Sequence, residues 1–279
     1  MAPMAETRVP EGSIRSVATE RIRPGRRLEE PDALVVEAPL EIRFAGRPFT
    51  VLMRTPGDDE ELVSGFLFTE GIARRVADVE AVERPRELLP EECRNLIDVR
   101  LAPGLAAAAG ERSFYASASC GVCGKSSIAD LAIDAPAVAS DLRVEAARLA
   151  RMPERLRQLQ EVFRRTGALH AAALFTPGGE LVELREDVGR HNAVDKLVGW
   201  ALGAGRLPLD DLVMIVSGRI GFEIVQKAIV AAVPVVGAVG AASTLAVDLA
   251  ERFELTLASF VGSGGMNLFG ARRRVIGAL

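Results

Sequence analysis

An alternation of short apolar runs with helical segments in the second half of the chain constrains the fold most strongly. Strands are predicted over residues 212–216, 234–239 and 255–260. Helices are predicted between them, over residues 222–232 and 244–253. Such alternation is typical of an α/β protein, in which a parallel or mostly parallel sheet carries helices on its faces. Ligands bind such sheets outside the carboxyl ends of the strands, so the loops that follow these strands are the first candidates for a site.

The residues before this alternation extend the same pattern. A buried strand is predicted over residues 168–175, and a partner strand over 181–183 after a glycine-rich turn. Helices are predicted over residues 144–165, with a break at Pro153, and over residues 192–202. We therefore assign residues 144–279 to one α/β domain.

The first half of the chain predicts a smaller unit of mixed structure. Residues 1–29 contain several prolines and glycines and predict a flexible arm. Residues 30–115 predict an α+β domain with strands at 35–44, 48–54 and 96–101. Residues 116–143 predict a loop and linker between the two domains.

One helix is predicted in this N-terminal domain. Asp58 is a suitable N-cap, and Glu61 three residues later completes the pattern of a capping box. The helix is expected to run to Gly71, a typical C-terminal stop.

Composition and charge exclude two classes of partner. The net charge is -4 and the pI is about 5.5, so there is no global basic field to favour nucleic acid. Residues 228–247 are uncharged and long enough to cross a bilayer, but Pro234, Gly237 and Gly240 interrupt them. We interpret them as a helix end, a buried strand and the next helix start, and we expect no membrane span.

The cysteine content and the N-terminus indicate a cellular compartment. Three cysteines cannot form a disulfide framework in a chain of 279 residues, which favours a reducing environment. The first residues carry Glu and Arg and no apolar h-region of a signal peptide. We expect a cytoplasmic protein.

A glycine-flanked cysteine pair, Cys120 and Cys123, is the main candidate for chemistry. Gly121 and Gly124 let the backbone bend sharply, and Lys125 favours the thiolate form. A structural zinc site needs four ligands, which one further cysteine and two histidines supply poorly. A thioredoxin-like redox pair normally opens a helix, which these glycines disfavour. A sulfur carrier, which holds a persulfide on a flexible loop, is the third alternative, and the residues alone leave all three open.

Two turns after predicted strands could bind an anion. Ser217, Gly218 and Arg219 follow the strand at 212–216, and a second turn of small residues at 240–244 follows the strand at 234–239. Glycine-containing turns that open a helix expose backbone N–H groups to a negative ligand, and Arg219 adds charge. We expect either a phosphate-bearing, nucleotide-like ligand over the pair or ordinary structural turns.

Two further segments carry candidate binding residues. The polar run 185–196 contains Arg190, His191 and Asn192, which could read a base or ribose, although a charged surface turn has the same composition. His170 lies inside a predicted buried strand, which favours a core histidine. The loop after the last strand allows close backbone approach and offers an aromatic ring for stacking, and consists of Phe260, Val261, Gly262, Ser263, Gly264 and Gly265.

Taken in order, these motifs resemble the FdhD family, the sulfur carriers required for formate dehydrogenase activity. The resemblance covers nearly all of residues 30–270. It rests on the segments 58–72, Cys120-Gly-Val-Cys-Gly124, 166–175, 185–196, Ser217-Gly-Arg219 and 244–250.

The resemblance implies a specific reaction. The chain is expected to accept persulfide sulfur from a cysteine desulfurase on Cys120, with Cys123 in a supporting role. It would pass that sulfur to the molybdenum of bis(molybdopterin guanine dinucleotide), a bound substrate, before that cofactor enters formate dehydrogenase. The guanine dinucleotide would lie over the strand-end loops, with the loop 260–265 among its contacts. A chaperone that binds the cofactor without transferring sulfur is the alternative.

The resemblance also implies a fold and an assembly. A small N-terminal α+β domain would be joined to a cytidine-deaminase-like α/β/α domain of three layers, in a cytoplasmic homodimer without a permanently bound metal. Two departures from the family pattern, Ser243 and Gly262, put details of cofactor contact in question. Deamination is not expected, because no acid follows His170 where a deaminase needs its general acid/base glutamate.

Overall fold

The computed structural model describes residues 9–85, 94–103, 105 and 135–279. Cys120 and Cys123, for which the sequence predicts the main chemistry, lie outside the described residues, as does most of the predicted loop at 116–143. The roles assigned to these cysteines therefore stay predictions.

The N-terminal segment is an antiparallel hairpin, so the predicted flexible arm is wrong for these residues. Strand β1 (Ile14–Arg23) pairs along its whole length with β2 (Arg26–Val35). Pro24 and Gly25, which we interpreted as chain breaks, form the turn, and Gly25 has a φ of 75° that suits glycine.

A four-stranded sheet follows, with one helix packed against it. The strands are β3 (Ala38–Phe44), β4 (Arg47–Arg54), β5 (Val79–Glu83) and β6 (Leu96–Leu101), and they are arranged in the order β4-β3-β6-β5. Helix α1 (Asp59–Thr69) buries Leu62 and Phe66 in the same core as Leu40, Ile42 and Ile97. A 3-10 turn, Val76–Asp78, precedes β5. This unit therefore combines a sheet with one packed helix.

The predicted capping box of helix α1 is wrong. Asp58 has a left-handed backbone with a φ of 55° and makes no side-chain cap. Glu61 instead binds Arg185 through both carboxylate oxygens, at 2.6 and 2.9 Å. A buried arginine outcompetes the backbone for this carboxylate, because charge-assisted bidentate pairs are stronger than a cap.

The rest of the chain alternates strands with helices, as predicted. The described helices are α2 (Ala146–Leu149), α3 (Met152–Leu159), α4 (Glu161–Thr166), α5 (Arg190–Gly203), α6 (Phe222–Val230) and α7 (Thr244–Arg252). The strands are β7 (Val144–Glu145), β8 (His170–Phe175), β9 (Leu181–Asp187), β10 (Val213–Val216), β11 (Val235–Ala238), β12 (Thr256–Gly262), β13 (Gly265–Gly270) and β14 (Val275–Ile276). Ser243 caps helix α7 by accepting a hydrogen bond from the N–H of Ala246.

The central sheet is mixed, which corrects the expectation of a mostly parallel one. Its order is β13-β12-β11-β10-β8-β9, and only β10–β11 and β11–β12 pair in parallel. Tight turns join β8 to β9 and β12 to β13, and strands joined so closely can pair only antiparallel. β8 is also antiparallel to β10, so its first residue lies at the edge where β10 ends.

Helices cover both faces of this sheet and give three layers. On one face, Val194 of α5, Ile224 of α6 and Leu249 of α7 belong to one apolar core. On the other face, Met152 and Leu156 of α3 pack with residues of β8, β10 and β11. The mixed α/β fold is thereby confirmed. None of the helices in the described ranges is long and apolar enough to cross a membrane.

Helix α1 joins the two units by crossing α5 at very short range. A Cβ atom on Gly65 would lie 1.8 Å from the carbonyl oxygen of Asp195, and one on Gly199 would lie 1.8 Å from that of Glu61. Only glycine permits this approach from either side. The two predicted domains therefore share a tightly packed interface.

Candidate functional site

Two strand-end loops and the last residues of β12 lie side by side at the carboxyl edge of the parallel strands. The N–H of Gly240 donates to the carbonyl of Gly218 at 3.2 Å, and the N–H of Phe260 donates to the carbonyl of Gly240 at 3.1 Å. Ile220 and Ser243 add further main-chain bonds between the first two loops. The two turns that the sequence singled out are thus adjacent, and the end of β12 continues the same surface.

Gly240 is required where two of these loops meet. A Cβ atom there would lie 2.9 Å from the carbonyl oxygen of Gly218 and 3.1 Å from the Cα of Arg219. The side chain of Arg219 is exposed, and it makes no hydrogen bond or ion pair within the described part of the chain. Its guanidinium is therefore available to an anionic ligand.

Ser217 has a structural role in this turn. Its hydroxyl oxygen accepts a hydrogen bond from the N–H of Ala171 at 2.9 Å, and its own N–H donates to the carbonyl of Ala171. These bonds fix the turn to the first residues of β8. A ligand could therefore contact the side chain of Arg219 and the main chain of Gly218, whereas the hydroxyl of Ser217 is already engaged.

His170 belongs to the site rather than to the core, which corrects the sequence prediction. It is the first residue of β8 and is half-buried. A Cβ atom on Gly218 would lie 3.3 Å from its Nδ1, so the glycine leaves room for the imidazole. Burial and the nearby Arg190 lower the pKa of His170 below its usual 6.5.

A cavity of about 220 Å³ opens beside His170. The turn from β9 into α5 forms one wall with residues 188–191, and Glu37 and Met53 of the N-terminal unit form another. The cavity thus lies between the two units, at the N-terminus of α5.

His191 is nine-tenths buried and is kept neutral. Its residue exposure is 9%, and its Nε2 is buried with no hydrogen-bond partner. The nearest carboxylate oxygen, Oε2 of Glu223, lies 3.7 Å from Nε2. Burial, with the positive charges of Lys227 and Arg190, lowers the pKa of His191 to about 3.

Asn192 holds the turn in place. Its Nδ2 donates to the carbonyl of Met53 at 2.8 Å and to Oδ1 of Asp187 at 2.9 Å. The other carboxylate oxygen of Asp187 accepts from Nζ of Lys196 at 2.8 Å. The amide nitrogen of Asn192 thus links the N-terminal unit to β9 by hydrogen bonds. The predicted contact of Asn192 with a cofactor would have to replace these bonds.

The end of strand β12 presents an exposed aromatic ring on a strained backbone. Phe260 is 56% exposed and has a φ of 54°, which is uncommon for a bulky residue and recurs at functional sites. The side chain of Val261 points the other way and is buried in the core beneath the sheet. Val261 could thus contact a ligand only through its main chain. Gly262 ends β12 and pairs with Gly265, the first residue of β13, so the predicted loop at 260–265 is reduced to a turn of Ser263 and Gly264.

Sequence reasoning missed several residues of this edge. His170 was placed in the core because its strand is apolar, and only the antiparallel pairing of β8 brings it to the site. Glu223 and Lys227 fall within the predicted helix at 222–232, where the sequence gives no sign that one lies 3.7 Å from His191 and the other lowers its pKa. The spacing of His170 and His191 in the sequence gives no signal of their proximity. Among the described residues, no group of three or more His, Cys, Asp or Glu side chains could hold a metal ion.

Comparison with known protein families decides the classification. The model of the FdhD/NarQ family matches residues 35–276 of this sequence. The chain belongs to the FdhD/NarQ family.

FdhD/NarQ relatives from two organisms are similar over more than nine-tenths of their length. "Sulfur carrier protein FdhD" of Streptomyces avermitilis is 48% identical over 262 residues, which cover 91% of this chain and 93% of the relative. The protein of the same name from Sulfurisphaera tokodaii is 40% identical, over 94% of this chain and 99% of its own.

A solved structure shows the same fold. A crystal structure from Desulfotalea psychrophila, provisionally named a formate dehydrogenase accessory protein, covers 94% of this chain and 99% of its own with a TM-score of 0.71. At 24% identity this likeness concerns the fold alone.

Proposed function

We propose that this chain is a sulfur carrier that serves the maturation of formate dehydrogenase. Its relatives at 40–48% identity carry the name sulfur carrier protein. The glycine-flanked Cys120 and Cys123 supply a suitable thiol chemistry. The structural observation that supports the proposal is the adjacency of two strand-end turns and the end of β12, which offer one continuous surface to a ligand.

The first chemical step is an exchange between two sulfur centres. The thiolate of Cys120 attacks the outer sulfur of a persulfide on a cysteine desulfurase. The sulfur–sulfur bond of the donor breaks, a new one forms on Cys120, and the donor cysteine leaves as a thiolate. The step needs no external oxidant, because one sulfur–sulfur bond replaces another.

The acceptor in this proposal is the molybdenum of bis(molybdopterin guanine dinucleotide), bound as a substrate. Its guanine base would stack on the exposed ring of Phe260, and its phosphates would contact Arg219 and the backbone of the turn at 240–243. Glycines at Gly218 and Gly240 allow close approach of a ligand to the backbone.

The described residues on either side of the cysteine segment pack or hydrogen-bond within the two folded units. Leu105 packs against the N-terminal core. Arg274 is fully buried and donates to the carbonyls of Val138, Ser140 and Glu254. The segment between them therefore starts from one unit and returns to the other, consistent with a carrier that serves a site at their junction.

Mass spectrometry tests the sulfur-transfer step. Incubation with a cysteine desulfurase and cysteine should add about 32 Da to the peptide that contains Cys120, the mass of one sulfur atom in a persulfide. Cys120→Ala should remove this adduct and abolish maturation of formate dehydrogenase, while Cys93→Ala serves as the matched control. Full maturation by Cys120→Ala would instead support the chaperone that binds the cofactor without transferring sulfur.

The proposal includes a homodimer in the cytoplasm. Sedimentation equilibrium of the purified chain measures the oligomeric state, and we expect a mass near twice 29.7 kDa. Sedimentation at the mass of one chain over the whole accessible concentration range would contradict it.

A further inference from the structure

The hairpin of β1 and β2 is anchored at its base and exposed along its length. Ser13 is fully buried, and its carbonyl accepts from the N–H of Val36 at 2.8 Å, while β2 contacts helix α4. None of the residues from 14 to 35 is buried, and among the described strands β1 and β2 pair only with each other. A two-stranded ribbon by itself is only marginally stable in water, and a third strand or a packed helix normally completes it.

The two edges of this ribbon differ in what they can bind. Strand β2 contains Pro31, which has no N–H, and proline within sheets is confined to edges that stay unpaired. Strand β1 contains no proline over its ten residues. The outer edge of β1 is therefore the one that is open to a further strand.

The register of the hairpin identifies the main-chain groups on the outer edge of β1. Opposed residues of an antiparallel pair alternate between exchanging two hydrogen bonds and exchanging none. Ala18 is opposite Pro31, which has no N–H to exchange, so the N–H and C=O of Ala18 point away from β2. The same holds for every second residue from 14 to 22. Of these five residues only Glu20 is charged, so charge does not block this edge as it blocks many exposed edges.

The side chains of β1 define the chemistry of an added strand. Four of the five residues with outward main-chain groups are small or apolar, and Ile22 among them is 67% exposed. Arg15 and Arg23 lie on the other face, exposed and without a hydrogen bond or ion pair in the described part of the chain. Arg21, between them, is bound to Glu30 at 2.9 Å. Because successive side chains of a strand alternate between faces, the best partner strand alternates apolar with acidic residues.

The tip of the hairpin adds a reason for an acidic partner. Arg23 lies directly opposite Arg26 across the turn, and neither has a counter-ion among the described residues. Like charges opposed in this way destabilise a hairpin, and a carboxylate from a partner would relieve the repulsion. The hairpin also carries four carboxylates of its own, which a uniformly negative surface such as nucleic acid or an anionic membrane would repel.

We propose that the outer edge of β1 binds an extended segment of a partner protein as a third strand, and that this segment alternates apolar with acidic residues. Main-chain hydrogen bonds give the affinity, and the side chains beside Arg15, Ala18 and Arg23 give the specificity. This inference is independent of the proposed sulfur transfer, because that chemistry uses no residue of the hairpin.

Fluorescence anisotropy of a labelled peptide tests the added strand. The probe is a peptide that alternates glutamate and valine and is as long as β1, and it is titrated with the full chain. The control peptide has the same sequence with methyl groups on its main-chain nitrogens, which removes the N–H groups and leaves the charge unchanged. We expect saturable binding of the probe and at least tenfold weaker binding of the control. Absence of saturable binding, or equal binding of both peptides, would overturn the proposal.

Variants of the protein locate the binding edge. Ala18→Pro removes an outward N–H and leaves the pairing with β2 intact, as Pro31 does on the other strand, and should weaken binding at least tenfold. The double variant Arg15→Gln, Arg23→Gln should weaken it several-fold and reduce its dependence on salt. Arg252→Gln is the matched control, because Arg252 is exposed on helix α7, and it should bind as the wild type does.

The arginine variant decides the question if Ala18→Pro lowers the thermal stability, because both of its substitutions are exposed. Wild-type affinity in this variant would contradict the proposal.

Other occupants of the edge give different results. Double-stranded DNA or vesicles that contain phosphatidylserine might compete with the labelled probe; competition as strong as that of the unlabelled peptide would assign the hairpin to a polyanion. Loss of self-association in Ala18→Pro, measured by sedimentation equilibrium without peptide, would assign the edge to a second copy of the chain. Either result would overturn the assignment of a partner strand.

Discussion

At the scale of single residues, Arg54 is a charged side chain buried in the N-terminal unit. Its Nε and Nη2 bind the two carboxylate oxygens of Asp59 at 2.8 and 2.9 Å, and further donors reach the carbonyls of Pro39 and Arg94. Burial opposes the ionisation of Asp59, but Arg54 and Arg84 hold the pKa of that carboxyl below its usual 3.8. The pair thus fixes the start of α1 to β4.

Replacement of Arg54 by methionine should destabilise the protein by about 3 kcal/mol, because it leaves a buried carboxylate without its main partner. Urea unfolding measures the change. Arg43→Met is the matched control, since its pair with Glu41 is partly exposed and should be worth at most about 1 kcal/mol. A loss below 1 kcal/mol in Arg54→Met would show that the pair contributes little.

The same measurement at low pH checks the origin of the effect. Because the folded pKa of Asp59 is lowered, its contribution is complete above the unfolded value of 3.8 and is lost as the pH falls below it. The difference between wild type and Arg54→Met should therefore shrink in acid.

At the scale of elements, the crossing of α1 and α5 sets the relation of the two units. Gly65 and Gly199 each face a main-chain carbonyl of the other helix. Salt bridges flank the crossing, with Arg185 bound to Glu61 on one side and Lys227 bound to Asp195 and Glu70 on the other. Small residues bring the backbones together, and the charged pairs then fix the register.

Gly65→Ala should cost about 3 kcal/mol or more, because the helices must separate to admit one methyl group. Gly203→Ala is the control: it lies at the end of α5 with no atom within 4 Å of its added Cβ, and it should be neutral or stabilise by up to about 1 kcal/mol. Thermal and urea unfolding compare the two. Equal stability of both variants would mean that the crossing is looser than described.

At the scale of the whole molecule, the interface of α1 with α5 makes the two units one cooperative structure. Thr69 of α1 donates to Asp195 at 2.7 Å and accepts from Lys227 at 3.0 Å. Buried polar groups of one unit therefore satisfy the hydrogen-bonding groups of the other. Separation of the units would leave these charges unpaired in a partly apolar surface, at a large free-energy cost. An unfolded N-terminal unit beside a folded C-terminal one is therefore unfavourable.

Unfolding in urea should show one transition for both units. Trp200 on α5 is the single tryptophan and reports on the C-terminal unit. A Trp200→Phe, Phe49→Trp double variant moves the reporter to β4 of the N-terminal unit. The two fluorescence midpoints should coincide with that of far-ultraviolet circular dichroism in each protein. Separate midpoints would indicate that the units unfold independently.

The amino-acid sequence by itself determined the elements that depend on local pattern. Apolar runs between helical segments predicted β8, β10, β11 and β12 and helices α5, α6 and α7 to within a few residues, whereas β13 was not predicted. The turn at 240–244 was predicted to open a helix, and Ser243 caps that helix. The strand-end rule also selected the turns at 217–221 and 240–244, which lie side by side. These features are local because strand and helix periodicity and turn chemistry are written in neighbouring residues.

The tertiary structure alone decided the features that depend on which partner a group finds. Pro24 and Gly25 make a hairpin turn instead of a break, Glu61 binds Arg185 instead of a helix cap, and β8 runs antiparallel, which moves His170 from the expected core to the site. The hairpin depends on the pairing of β1 with β2, and the place of His170 depends on the direction of β8. The contact of Glu61 depends on Arg185, which is 124 positions away in the chain. Local pattern contains no information on such pairings, because their energies arise only when packing removes the competing contacts with water.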